Sequence, residues 1–155
     1  HRNPYDTVLS CFQQSFEPNN AMSNFRSIDS ASKIYDLTMR MWLEYKTKLK
    51  MDYITSKYED LIENFDSHIL KILNFLNVSW DKNITNYRDT AHKRGKINTP
   101  SSSQVVQPLY RSSIEKWKNY ENYFTNSKQY LDKWKNYFKY WWKTDSNIKI
   151  ISLKN

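Results

Sequence analysis

Residues 1–12 read "HRNPYDTVLSCF". Asn3 is a good helix N-cap, Pro4 suits the first helical position, and Asp6 places a carboxylate near the exposed amides of the first turn. Tyr5, Val8, Leu9, Phe12 and Phe16 keep the 3/4 spacing of one apolar stripe. Arg2, Asp6 and Ser10 are each four apart, so one helical register lines them along a second face. Two readings follow. One is a capped surface helix with an incidental Arg. The other is a phosphate site, in which an Arg ahead of a helix N-terminus works with a hydroxyl further along.

Working outward, 155 residues are one domain's worth of chain, and 39 % hydrophobics with 16 % aromatics can build a core. A mean hydropathy of −0.88 leaves no run apolar enough to span a membrane, so no transmembrane segment is expected. The single Cys11 cannot form an internal disulfide or a structural zinc site. His1, His68 and His92 are isolated, so no metal is expected. With Gly95 as the sole glycine, there is no nucleophile elbow and no Gly-rich phosphate cradle. Charge is uneven: residues 1–90 carry 11 Lys and Arg against 12 acids, residues 91–155 carry 13 against 4. A basic field of this kind attracts phosphate, sulfate, nucleic acid or anionic membrane.

Further along, residues 29–50 read as a long helix with Ala31, Ile34, Tyr35, Met41, Trp42, Tyr45 and Leu49 on its apolar side. Tyr53, Ile54 and Thr55 are strand formers, predicting one or two short strands near 51–56. Ile69, Ile72, Leu73 and Leu76 mark another helix, and residues 79–95 a short one. "KINTPSSSQVVQPLY" (96–110) reads as an extended loop, followed by a helix capped by Ser112 or Ser113. "EKWKNYENYF" (115–124) and "DKWKNYFKYW" (132–141) repeat one aromatic, basic turn. In these turns Trp and Tyr pack inward while Lys faces water, or else they form a nucleic-acid or membrane face.

The separated segments "RNPYDTVLS" (2–10), Tyr58-Glu59-Asp60, "TPSSSQVVQPLY" (99–110) and Lys116-Trp117 together resemble the sulfotransferase family. The resemblance is nearest to the branch of tyrosylprotein sulfotransferases and bacterial sulfotransferases fused to tetratricopeptide repeats. It implies that Arg2 and Ser10 hold the 3′-phosphate of the sulfate donor PAPS (3′-phosphoadenosine 5′-phosphosulfate), and that Tyr58 contacts the adenine end. It implies further that Ser101, Ser102, Ser103, Gln104, Val105 and Tyr110 belong to a segment closing over the nucleotide. Ser101 would stand beside the transferring sulfate as the catalytic residue, and Lys116 would bind nucleotide. Arg111 is a further candidate for offsetting its charge. One departure is Gln14, where tyrosylprotein members carry a second Arg.

The implied fold is α/β, a three-layer P-loop-like arrangement around a mostly parallel sheet, of which this chain would be the mostly helical C-terminal part. Residues 1–124 would belong to the sulfotransferase domain, and 125–155 would form a basic aromatic helical tail. The phosphosulfate loop and the catalytic base have no counterpart in these residues, so an N-terminal half of the domain is the expected partner. Without it, the Tyr5/Val8/Phe12 stripe is expected to stay exposed. The implied reaction transfers the sulfuryl group of PAPS to a hydroxyl-bearing acceptor: peptide tyrosine, glycan or small molecule, with no nucleic acid involved. The competing readings are a basic all-helical domain that binds nucleic acid or an anionic surface, and a helical module without a ligand. The first of these needs Lys133, Lys135, Lys139 and Lys143 on one open face with exposed aromatics.

Overall fold

The computed structural model describes residues 1–93 and 107–140. α1 (Pro4–Phe12) starts as its sequence dictates, with the Asn3 side chain accepting from Tyr5 N at 3.0 Å. A 3₁₀ turn over Met22–Arg26 leads into α2 (Ile28–Lys48), capped by Ser27, whose side chain accepts from Ser30 N. α3 (Tyr58–Glu63) and α4 (Phe65–Leu76) follow almost without a break. Lys82–Ile84 is a short 3₁₀ turn before α5 (Tyr87–Lys93). A longer 3₁₀ helix, Lys116–Phe124, bends at Tyr120 and precedes α6 (Lys128–Tyr137).

The core lies where α1, the start of α2, the 115–124 segment and α6 meet. Tyr5, Val8, Leu9, Ala31, Trp117, Phe124 and Leu131 are buried together there. The Tyr5 ring stacks on Trp117 at 4.4 Å between centroids, and Phe124 meets Tyr5 edge-on at 5.2 Å. Polar ties cross the same seam. Tyr5 Oη donates to Asp132 Oδ1, Ser127 Oγ to Asp29 Oδ1 at 2.7 Å, and Trp134 Nε1 to Asp36 Oδ1 at 2.7 Å. α6 is therefore held to α1 and α2 by both packing and hydrogen bonds.

Three expectations are corrected. The three-layer α/β fold is not what the described residues form: every regular element among them is helical, and none is a strand. Residues 51–57 have the strand formers but, among the described residues, no neighbouring strand. Their long-range backbone pairing among the described residues is with His1, whose N donates to Ser56 O and whose O accepts from Tyr58 N at 2.9 Å. Those two bonds have the register of a parallel pair, but one pair does not make a ladder. Second, the Tyr5/Val8 stripe is not exposed. Both side chains are 1 % accessible under Trp117, Phe124 and Leu131, and Phe12 alone of the three is open, at 42 %. Third, neither Ser112 nor Ser113 caps the helix after the loop. Its N-cap position is Glu115, in the left-handed region at φ 62°, with no side-chain cap of its own.

Helix α2 also departs from its pattern. Its buried residues are Ala31, Ser32 and Asp36 in the first half, while Met41, Tyr45 and Leu49 face outward with Leu37. Among the described residues the core covers the N-terminal turns of that apolar side. Among the described residues no helix is long and apolar enough to cross a membrane.

Candidate functional site

One side of α1, from Arg2 ahead of it to Gln14 beyond it, and the chain around residues 110–116 line a recess of about 220 Å³. Arg2, Ser10, Tyr110 and Lys116 line it, together with Asp6 and Gln13. A second, more open recess of about 540 Å³ is lined by Arg2, Ser10 and Tyr58. Arg2 and Ser10 thus belong to both. Arg2, Ser10, Tyr110 and Lys116, read from the sequence as nucleotide-binding, meet at the first recess and Tyr58 lines the second, although Arg2 and Lys116 are far apart in the chain.

Each side chain is placed for a local reason. Arg2 sits just ahead of α1, where unpaired helix amides favour negative charge. Its Nη2 donates to Ser113 O, and its guanidinium carbon lies 5.1 Å from the centre of the Tyr58 ring. Arg2 Nε is buried and has no hydrogen-bond partner among the described residues, a donor left over in a cationic corner. Ser10, two turns on, is exposed at the end of α1. Tyr58 begins α3, and its hydroxyl donates to Tyr110 O at 3.3 Å, tying α3 to the segment that carries Tyr110. Burial raises the Tyr58 phenol above its ordinary range, against the Arg2 charge, so the ring presents a neutral face.

Lys116 Nζ donates to Gln13 Oε1 at 2.8 Å, which holds the ammonium on the α1 side of the recess. The backbone on either side of Lys116 is fixed by Asp6. Its Oδ2 accepts from Glu115 N at 2.7 Å and its Oδ1 from Trp117 N at 2.9 Å. Asp6 is thus the missing cap of the 3₁₀ helix that begins at Lys116, supplied from another element. Burial pushes its carboxyl above the usual carboxylate range, and the two amides and Arg2 act the other way. Glu59 is a second acid with a structural role. Its Oε1 accepts from Asn3 N at 3.0 Å and its Oε2 from Tyr140 Oη at 3.0 Å. Gln13, Asp6 and Glu59 were not singled out in the sequence as site residues. Asp6 and Glu59 lie inside the quoted motifs, but Asp6 also has a sufficient local explanation as a first-turn acid.

Arg111 stands apart from the recess, its Nη2 3.2 Å from Glu63 Oε1 at the surface. Ser101, Ser102, Ser103, Gln104 and Val105 lie outside the described residues. The basic-aromatic face of the competing reading does not form on the two tryptophans, because Trp117 and Trp134 are buried and Lys133 pairs with Asp36 at 2.6 Å. Lys143 lies outside the described residues. Among the described residues no group of three or more His, Cys, Asp or Glu could hold a metal ion.

In chemical terms the recess offers two cations, a hydroxyl and a spare guanidinium donor, while the charge of its one carboxylate is taken up by backbone amides. That donor set suits a phosphate or sulfate oxyanion beside a ring-stacking surface.

Comparison with known proteins agrees in kind. A family model described as "Sulfotransferase family" matches residues 1–82. A protein of Aquifex aeolicus (strain VF5) that bears the name "Uncharacterized protein" is 30 % identical over 129 residues. The match covers 80 % of this chain and 16 % of that relative, so the chain spans a small part of its length. No solved structure matches.

Proposed function

Because the chain belongs to the sulfotransferase family, we propose that its recess holds the 3′-phosphate of PAPS, for sulfuryl transfer to a hydroxyl-bearing acceptor. The observation that carries this is the meeting of Arg2 and Ser10 with Tyr110 and Lys116 in one recess, Arg2 also overlying Tyr58. Arg2 and Lys116 offset the phosphate charge, and Ser10 donates a neutral hydrogen bond. The unpartnered Arg2 Nε fits a bound oxyanion. Tyr58 supplies a neutral ring for the adenine side.

The donor, when bound, supplies an activated sulfuryl group. These residues bind and orient its nucleotide, which is where much of the advantage in such a transfer arises. Ser101, read as the donor to the transferring sulfate, is part of the same proposal, with Ser102, Ser103, Gln104 and Val105 closing over the nucleotide. Lys116-Trp117 favours the tyrosylprotein and tetratricopeptide-repeat branch, while Gln14 departs from it. A phosphosulfate loop and a catalytic base are also required, and the resemblance assigns neither to these residues.

Calorimetry of the chain with adenosine 3′,5′-bisphosphate and with adenosine 5′-monophosphate tests the reading. The 3′-phosphate should raise affinity at least tenfold, and Lys116→Ala should erase most of that preference. Equal affinity for the two nucleotides overturns it.

A further inference from the structure

The proposed phosphate site has a buried carboxylate in its lining, Asp6, for which phosphate binding alone gives no reason. A carboxylate facing a phosphate site repels the ligand unless its charge is engaged elsewhere. Asp6 is 1 % exposed, and each of its oxygens accepts one backbone N–H, from Glu115 and from Trp117. The residue between those two amides is Lys116. Glu115 holds a left-handed backbone at φ 62°, which a residue with a Cβ adopts only when its surroundings impose it. The Lys116 ammonium is then tethered by Gln13, one turn past Ser10 on the same side of α1.

We infer that Asp6 is the positioning residue of Lys116: its carboxylate fixes the backbone at Glu115 and Trp117, so that the lysine faces Arg2 and Ser10. Asp6 and Arg2 flank the same helix start, so one short stretch supplies a phosphate contact and the clamp that brings in the second cation. The consequence for nucleotide rests on the proposed function; the clamp itself does not.

Asp6→Asn keeps the size but breaks one side of the clamp, since an amide offers one acceptor and a donor that opposes the second N–H. Hydrogen exchange at the Glu115 and Trp117 amides should then speed up at least tenfold. Affinity for adenosine 3′,5′-bisphosphate should fall roughly tenfold while that for adenosine 5′-monophosphate stays level. In a Lys116→Ala background, Asp6→Asn should cause no further loss of affinity. Unchanged exchange, equal loss for both nucleotides, or an undiminished loss in the Lys116→Ala background overturns the assignment.

If the wild-type chain shows no preference for the 3′-phosphate, the nucleotide reading fails, and the exchange rates still decide the clamp. Should Asp6→Asn fail to fold, the wild type decides. The Glu115 and Trp117 amide resonances should follow one carboxylate titration above the ordinary aspartate range, Arg2 and Glu59 being the charged groups acting on Asp6. Amides that do not titrate together overturn it.

Discussion

Trp134 donates its indole N–H to Asp36 at 2.7 Å, across 98 residues of chain, and Lys133 Nζ reaches the same carboxylate oxygen at 2.6 Å. Asp36 thus joins α6 to the N-terminal half of α2 through two donors from adjacent residues of the repeated Lys-Trp turn. The indole bond is buried, whereas Lys133 is half exposed, so the two contacts are unequal. Trp134→Phe should destabilise the chain by about 2 kcal/mol, the scale of losing a hydrogen bond to a charged acceptor with some loss of packing. Lys133→Ala should cost less, about 1 kcal/mol, because the lysine is half exposed and Arg40 and the indole still face the buried carboxylate. Urea unfolding of the two variants checks the order, and a larger effect for Lys133→Ala would show that the ion pair, not the indole, holds the seam.

The same carboxylate predicts an acid response. Burial pushes the Asp36 carboxyl up, but hydrogen bonds from Lys133 and Trp134, with the charges of Lys133 and Arg40, outweigh it and hold the group below its ordinary value. A lowered folded-state pKa means stability that is present above the unfolded aspartate value and is lost as pH falls through the folded one. Asp36→Asn should therefore be less stable than wild type near neutrality, with the gap closing in acid below the ordinary aspartate range. Unfolding midpoints of both proteins across that range measure it. Asp6, whose carboxyl is raised, contributes with the opposite sign: its share is full below the ordinary aspartate value and is lost as pH rises through the raised one.

Local signals carried the sequence reading a long way. Asn3 and Pro4 mark the start of α1 because capping is settled within four residues, and Trp117 and Trp134 turn inward as the amphipathic pattern implies. What could not be read is what depends on partners distant in the chain. Tyr53, Ile54 and Thr55 have strand propensity, but a strand needs a neighbour, and among the described residues His1 alone pairs beside them, at Ser56 and Tyr58. Met41, Tyr45 and Leu49 keep helical spacing, yet spacing does not say how far along α2 the core extends. Asp6 is the sharpest case: its local and distant roles use the same residue, and the second needs amides more than a hundred positions away.

Arg2 is predicted to read the 3′-phosphate rather than the nucleotide as a whole. Its Nη2 is engaged by Ser113 O, its face lies over Tyr58, and Nε remains as a donor. Arg2→Ala should weaken adenosine 3′,5′-bisphosphate by about 1.5–3 kcal/mol, the scale of a charge-assisted contact, and leave adenosine 5′-monophosphate nearly unchanged. Arg2→Lys should recover only part of the loss, because an ammonium cannot serve the Ser113 carbonyl and a phosphate with one planar fork. Equal weakening of both nucleotides in isothermal titration would assign Arg2 to the fold alone.

Ser101 separates catalysis from binding. The family resemblance implies a place for it beside the transferring sulfate, whereas Arg2, Ser10 and Lys116 line the recess proposed for the 3′-phosphate. A hydroxyl at the reacting centre donates to oxygens that gain charge mainly in the transition state, so its removal should slow the reaction more than it weakens binding. In an active enzyme containing this chain, Ser101→Ala should lower kcat roughly 10²-fold, the scale of one preorganised donor, with nucleotide affinity little changed. Ser10→Ala should do the reverse, lowering affinity for the 3′-phosphorylated nucleotide with kcat nearly intact. Ser102→Ala and Ser103→Ala should be mild on both counts. Single-turnover rates and nucleotide titrations of the four variants decide it, and a Ser101→Ala rate no lower than those of its neighbours would move the catalytic hydroxyl to another position in "TPSSSQV".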